Sequence, residues 1–162
     1  MKKVLFSVAI LFITVLISAQ NPLPKGKADL NAGFGFSNYG LPIYVGFDYG
    51  VHKDITIGGE LCFRAYHDGY YHNRGVGISF NGNYHFNTIM HIPSNWDFYA
   101  GLNLGYTFWN YDNNYHGNDY YDFGLGAQIG GRYFFTNKFG INLELGGGAG
   151  SSGGKFGITY KF

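Results

Sequence analysis

Residues 75–86, GVGISFNGNYHF, alternate between two kinds of side chain. Val76, Ile78 and Phe80 begin an apolar and aromatic set, and glycine, serine, asparagine and histidine occupy the positions between its members. A period of two is typical of a β-strand whose two faces differ. The pattern leaves two arrangements open: the aromatic face is the core of a soluble barrel, or it contacts lipid around a membrane barrel.

The same alternation recurs along the chain and predicts eight strands. They cover residues 28–37, 43–51, 55–65, 75–86, 96–108, 121–135, 139–149 and 155–162. Most of these lengths are close to the 9–11 residues of a strand that crosses a membrane. Turns at one end (52–54, 87–95 and 136–138) alternate with connections that include longer loops at 66–74 and 109–120, as in outer-membrane barrels. We therefore predict an all-β fold, an eight-stranded antiparallel up-and-down β-barrel over residues 28–162.

The small, weakly charged face decides between the two arrangements. Glycine and asparagine dominate it, whereas a water-facing surface would carry bulky charged residues. Glycine within a strand is unfavourable without a packing reason, and the narrow interior of an eight-stranded barrel supplies one. We therefore expect the apolar face to contact lipid, so the predicted fold is an eight-stranded antiparallel up-and-down transmembrane β-barrel. The predicted lipid-facing residues are Ile78, Phe80, Leu102, Leu104, Leu125, Ile129 and Leu143.

Export is predicted from the first 19 residues. Lys2 and Lys3 precede an apolar run, and Ser18 and Ala19 supply small residues for cleavage, so residues 1–19 are typical of a cleaved secretory signal peptide. An uncleaved membrane anchor is the alternative, although the run is short for a spanning helix. Residues 20–27 are then expected to form a short periplasmic leader.

Composition and charge exclude two classes of protein. Aromatic residues make up 20% of the chain and charged residues only 13%, with a formal net charge of +1. The chain therefore lacks the basic balance of a nucleic-acid-binding protein, and we predict no nucleic-acid partner. Cys62 is its single cysteine, which excludes a small domain held together by disulfides.

The signal sequence, the eight two-faced strands and the terminal FGITYKF together resemble the small eight-stranded outer-membrane barrels of Gram-negative bacteria, the OmpA-barrel and OmpX kind. The resemblance is architectural and covers the whole mature chain. It implies integral insertion in the outer membrane, among its lipid and lipopolysaccharide. It also implies that Ile158, Tyr160 and Phe162 match the terminal signal that the barrel-assembly machinery reads in such proteins.

Several charged residues share the parity of the predicted lumen face. They are Asp48, Glu60, Arg64, Arg132 and Glu144. Buried charges must be paired, so a salt-bridged plug is the first interpretation, and the resembled barrels have such plugs. A gate or a narrow ion path is the alternative.

Two of the predicted outer loops contain histidine and aspartate. His67, Asp68 and His72 lie in one, and Asp112, His116, Asp119 and Asp122 lie in or near the other. Their spacing matches no closed metal site, so we predict no metal and no cofactor. Tyrosine, asparagine and glycine in these loops are typical of adaptable binding surfaces, which suggests a surface protein or glycan ligand at 66–74 and 109–120.

The function predicted first is a structural or surface-interaction role carried by the outer loops. A small channel or transporter for water, ions or small solutes is the second hypothesis. A lipid-modifying enzyme is the third, because lipid A acylases and deacylases use this fold. Such enzymes place serine and histidine together near the outer rim, but no histidine lies at a suggestive spacing from Ser37, Ser79, Ser151 or Ser152, so we predict no catalytic residues and no enzyme.

Overall fold

The structure, a computed structural model, describes five segments of the chain. They are residues 23–36, 41–68, 71–110, 121–148 and 153–162, without the side chains of residues 66–68, 71–73, 110 and 121–122. The predicted signal peptide and the first residues of the predicted leader lie outside this description.

Within these segments the chain forms eight antiparallel strands and one helical turn. They are β1 (Ala28–Phe36), β2 (Ile43–His52), β3 (Ile55–Asp68), β4 (Tyr71–His85), α1 (Asn87–Met90), β5 (Trp96–Asn110), β6 (Tyr121–Phe134), β7 (Phe139–Gly148) and β8 (Gly153–Lys161). Each strand pairs with the next in sequence, and β8 pairs with β1 to close the barrel. The predicted up-and-down barrel is confirmed. Across the described segments, helices of the length and apolarity that a membrane crossing requires do not occur.

Closure gives the barrel two distinct ends. The turn end carries the start of β1, the end of β8 and the connections 53–54, 86–95 and 135–138. The loop end carries the other four connections, at 37–42, 69–70, 111–120 and 149–152. Helix α1 was not predicted, because four residues are too few to show a helical period.

The connection between β3 and β4 differs from the prediction. The loop expected at 66–74 is mostly strand, because backbone pairing continues to His67 opposite His72 and Asp68 opposite Tyr71, which leaves only residues 69 and 70 between the strands. Strands pair through hydrogen bonds between backbone groups, which do not depend on the side chains. These polar residues therefore continue the pairing of β3 with β4 beyond the point where the apolar alternation stops. The loop predicted at 109–120 likewise begins inside β5, which ends at Asn110.

The two faces of the wall are inverted relative to a soluble protein. Leucine, isoleucine, valine and phenylalanine side chains stand exposed on the outside, Leu125 at 77% and Leu102 at 69%. The buried interior is mostly polar, and only five hydrophobic residues are buried within the described segments. They are Leu23, Tyr44, Cys62, Tyr99 and Phe134. Soluble domains rarely expose a continuous apolar surface of this kind.

Candidate functional site

The polar interior of the barrel is the candidate site, and its turn-end half is built around Arg132. The Arg132 guanidinium is buried and donates to Asp29 Oδ2 at 2.9 Å and to Asp48 Oδ2 at 2.5 Å. A third carboxylate, Asp97, lies directly opposite Arg132 on the neighbouring strand, with its Oδ2 3.6 Å from Nη1. We call these four residues the Arg132 cluster. One cation thus holds three buried carboxylates from β1, β2 and β5.

Cross-strand register explains why this cluster needs an arginine. Asp29 and Asp48 lie opposite each other on β1 and β2, a pairing of like charges that is unfavourable by itself. The side-chain amide of Asn31 donates to both carboxylates at 3.0 Å, and Arg132 reaches them across the lumen. The planar guanidinium offers several donors in a fixed geometry, which suits bridging of carboxylates.

A second group of charges, the Lys155 cluster, lies closer to the loop end. Lys155 Nζ is 2.8 Å from Glu60 Oε2 and 2.6 Å from Glu144 Oε1. Glu144 and Lys155 face each other across β7 and β8, whereas Glu60 reaches in from β3. All three side chains are largely buried, with 8–12% of their surface exposed. This cluster therefore ties opposite walls of the barrel together.

Tyr99 joins the two clusters. Its hydroxyl donates to Glu144 Oε2 at 2.8 Å, and its ring lies under the Arg132 guanidinium with Cζ 4.8 Å from the ring centre. The backbone opposite provides the space, because Gly130 pairs with Tyr99 and a Cβ there would collide with Cζ and the hydroxyl of Tyr99 and lie 2.8 Å from its Cε1. A glycine of the lumen face thus makes room for the ring that links the charges.

A hydrogen-bonded chain of Thr56, His85 and Asp97 lies at the turn end. Thr56 Oγ1 is 3.0 Å from His85 Nε2, and His85 Nδ1 is 2.7 Å from Asp97 Oδ1. A hydroxyl, an imidazole and a carboxylate in this order have the geometry of a nucleophile, its base and the orienting acid. All three side chains are completely buried, so a substrate cannot approach Thr56 in this arrangement. These three residues therefore form part of the side-chain packing inside the lumen.

Between the two clusters is a cavity of about 20 Å³. Its walls include Asp48, Asn81 and Arg132, each with a buried polar atom (Oδ1, Oδ1 and Nε) that has no hydrogen-bond partner in the protein. This volume accommodates about one water molecule, and two acceptors and one donor match what a buried water bonds. The space between the two clusters is therefore occupied by side chains apart from room for about one water molecule.

The predicted lumen residues all lie inside the barrel. Asp48 and Arg132 meet in one cluster, Glu60 and Glu144 meet in the other, and Arg64 lines a smaller pocket beside Cys62 toward the loop end. Sequence reasoning missed four partners in the network: Asp29, His85, Asp97 and Lys155. Each has the inward parity of its strand, which is the signal that could have found it.

The residues predicted to face lipid stand on the outer surface. Their exposures range from 38% for Ile78 to 77% for Leu125. The set comprises Ile78, Phe80, Leu102, Leu104, Leu125, Ile129 and Leu143. Ile158, Tyr160 and Phe162 also point outward, in and just after β8.

The histidines and aspartates of the predicted loops build no site that the structure describes. His67, Asp68 and His72 belong to strands and their side chains lie outside the description, as does the side chain of Asp122. Asp112, His116 and Asp119 fall outside the described residues altogether. Elsewhere in the described segments, no group of three histidine, cysteine, aspartate or glutamate residues could hold a metal ion.

Solved structures with the same arrangement of strands place this barrel among known folds. The N-terminal β-barrel domain of Pseudomonas aeruginosa OprF is similar at a TM-score of 0.63 and 18% identity, over 85% of this chain and 98% of that domain. The outer membrane protein OprG of the same organism gives a TM-score of 0.63 at 11% identity, over 86% of this chain and 97% of OprG.

The chain has the fold of the small eight-stranded outer-membrane barrels. Ail, the attachment invasion locus protein of Yersinia pestis, also shares it, with a TM-score of 0.56 and 13% identity over 85% of this chain and 99% of Ail. No protein-family model and no curated protein matches the chain. At these identities the similarity establishes the fold alone.

Proposed function

We propose that this barrel is an integral protein of the bacterial outer membrane with a closed lumen, and that its function is carried by the connections at the loop end. Residues 1–19 would direct export and be removed. The loop end would face outward and the turn end the periplasm, and the exposed apolar band would contact outer-membrane lipid and lipopolysaccharide. The inverted wall supports this location, since apolar residues cover the outside and paired charges fill the inside.

The observation that carries the closed lumen is the side-chain network across it. Arg132 and Lys155 each bridge carboxylates from different walls, and Tyr99 connects the two clusters. Truncating such buried pairs is costly, so the network would hold the barrel shut as well as stabilise it. In a barrel closed in this way, the exposed connections between strands are the part that remains available for contact with other molecules.

The membrane location is tested by gel mobility and fractionation. We expect the protein in the outer-membrane fraction, resistant to cold SDS, with a change in mobility only after boiling. A soluble periplasmic protein without this shift would contradict the location, since the outer residues would then need another cover.

The closed lumen is tested by planar-bilayer recordings of the pure protein. We expect no steady discrete openings. A small channel for water, ions or small solutes is the second candidate function, favoured by the polar lining of the cavity between the clusters. Steady openings that Arg132→Met or Lys155→Met alters would support the channel and contradict the closed barrel.

The surface role is tested by exchanging residues 111–120 for a short glycine–serine linker. A structure of Ail contains the heparin analogue sucrose octasulfate, so an anionic glycan is a reasonable first probe for a barrel of this fold. We expect cells that display the parent protein to bind a glycan or a surface protein, and the exchanged variant to lose this binding while it keeps its heat-dependent mobility. Equal binding by both proteins would place the contact elsewhere.

Assembly is the remaining part of the proposal. Ile158, Tyr160 and Phe162 would present the terminal signal to the barrel-assembly machinery before β8 closes on β1. No metal, cofactor or catalytic role belongs to this function.

A further inference from the structure

The residues just before β1 form a structured reversal of the chain. The amide of Lys27 donates to the carbonyl oxygen of Pro24 at 3.1 Å, and Gly26 has a φ of +83°. A positive φ at the third position of a four-residue turn is typical of type II and favours glycine. The sequence Pro24-Lys25-Gly26-Lys27 therefore turns the preceding residue back toward the barrel. We call residues 23–27 the strap.

The strap rests on the inner side of Gly50, near the end of β2. Gly26 N–H donates to the Gly50 carbonyl at 2.8 Å, and Gly50 N–H donates to the Lys27 carbonyl at 2.9 Å. A Cβ at Gly50 would collide with the carbonyl oxygen of Pro24, would lie 2.9 Å from its carbonyl carbon and would be 3.1 Å from Leu23 O. Only a residue without a side chain leaves room for the strap at this point.

The end of the strap is fully buried. Leu23 has no exposed surface, and it is the one aliphatic side chain among the buried hydrophobic residues of the described segments. Gly50, on which the strap rests, pairs across β2 and β3 with Thr56, the first member of the Thr56, His85 and Asp97 chain. A buried apolar residue thus lies beside the inner face of β2 at the turn end, where the strands of the wall end.

We propose that the strap seals the turn-end mouth of the lumen, and that its seat on Gly50 holds the seal in place. The seal separates Thr56 and the hydrogen-bonded chain behind it from the solvent at this end. The proposal concerns an intramolecular contact, and it stands whether the loop end binds a partner or not.

The test measures access of a water-soluble maleimide to a cysteine beneath the strap. Thr56→Cys is made in a Cys62→Ser background, and labelling is followed in the folded full-length mature barrel in detergent. We expect Thr56→Cys to be protected, with labelling at least 10-fold slower than for Lys53→Cys on the exposed turn. Adding Gly50→Ala should raise the labelling rate of Thr56→Cys at least 10-fold, because the new methyl group displaces the strap.

Gly46→Ala is the matched control. It adds the same methyl group to the inner face of the same strand, where the Cβ would meet its nearest neighbour at 3.5 Å, an ordinary contact. Thr56→Cys should stay protected in this variant. Heat-dependent mobility confirms in each case that the barrel is folded.

Gly26→Ala provides a second perturbation in case Gly50→Ala does not fold. A Cβ at Gly26 meets nothing within 4 Å, so this change acts only through the positive φ that the turn requires. We expect several-fold faster labelling. Fast labelling of Thr56→Cys in the otherwise unchanged barrel, or no acceleration by either glycine substitution in a folded protein, would overturn the proposal. Steady conductance through the parent barrel would contradict both the closed lumen and the seal at its turn end, whereas fast labelling of Thr56→Cys in a barrel that does not conduct would overturn the seal alone.

Discussion

Replacing Arg132 with methionine tests whether the buried charges stabilise the barrel. The change keeps an unbranched side chain of similar length but removes the guanidinium, which leaves Asp29, Asp48 and Asp97 close together without their cation. Two charge-assisted hydrogen bonds disappear, each worth about 1.5–3 kcal/mol. Breaking a buried ion pair by removing one partner costs about 3–5 kcal/mol. We therefore expect the free energy of unfolding to fall by about 3–5 kcal/mol.

The assay is urea unfolding in lipid vesicles, followed by tryptophan fluorescence. Lys53→Met is the control, because Lys53 is 66% exposed and lies 3.7 Å from Asp54 in an ion pair at the surface. Exposed pairs of this kind contribute little, and this variant should stay within about 1 kcal/mol of the parent. Equal losses for the two variants would refute the view that Arg132 holds the cluster.

Two further measurements separate charge from packing. Adding Asp48→Asn to Arg132→Met removes one of the stranded carboxylates, so the double variant should be more stable than Arg132→Met alone. Lowering the pH should also narrow the difference between Arg132→Met and the parent, because protonated carboxyl groups no longer repel one another. A deficit that stays constant with pH and in the double variant would indicate lost packing instead.

Three other substitutions test the wall, the assembly signal and the lumen packing. Leu125→Arg places a charge on the apolar outer band and should cost about 2–4 kcal/mol in lipid vesicles, and unchanged stability would contradict a lipid contact there. Phe162→Ala should lower outer-membrane levels in cells more than Phe135→Ala, an equally exposed aromatic at the same end, and equal levels would remove the terminal signal from the account. Gly130→Ala forces the Tyr99 ring aside and should lower the free energy of unfolding by about 1–3 kcal/mol in urea, whereas Gly82→Ala, whose Cβ meets nothing within 4 Å, should lower it less.

The fold could be predicted from the sequence because each strand carries its own two-faced pattern. A period of two fixes which residues share a face, and glycine and asparagine on one face indicate a narrow interior. Local parity alone therefore predicts that Phe80 and Leu125 point outward and that Asp48 and Arg132 point inward, as they do in the barrel. The polar extension of β3 and β4 was missed for the same reason, since the ladder there continues through backbone hydrogen bonds without an apolar alternation.

The partners inside the lumen were decided only by the tertiary structure. Arg132 is separated by 103 residues from Asp29 and by 84 residues from Asp48, and parity says only that all three point inward. Which of them meet depends on the stagger between neighbouring strands and on the pairing of β8 with β1. This closure of the barrel determines which residues on opposite walls lie at the same level along the barrel axis. The sequence by itself thus determined the two faces of the wall, because alternation is a local property. The tertiary structure alone brought Leu23 onto Gly50 and the carboxylates onto Arg132, because those contacts join parts of the chain that only the closed barrel makes neighbours.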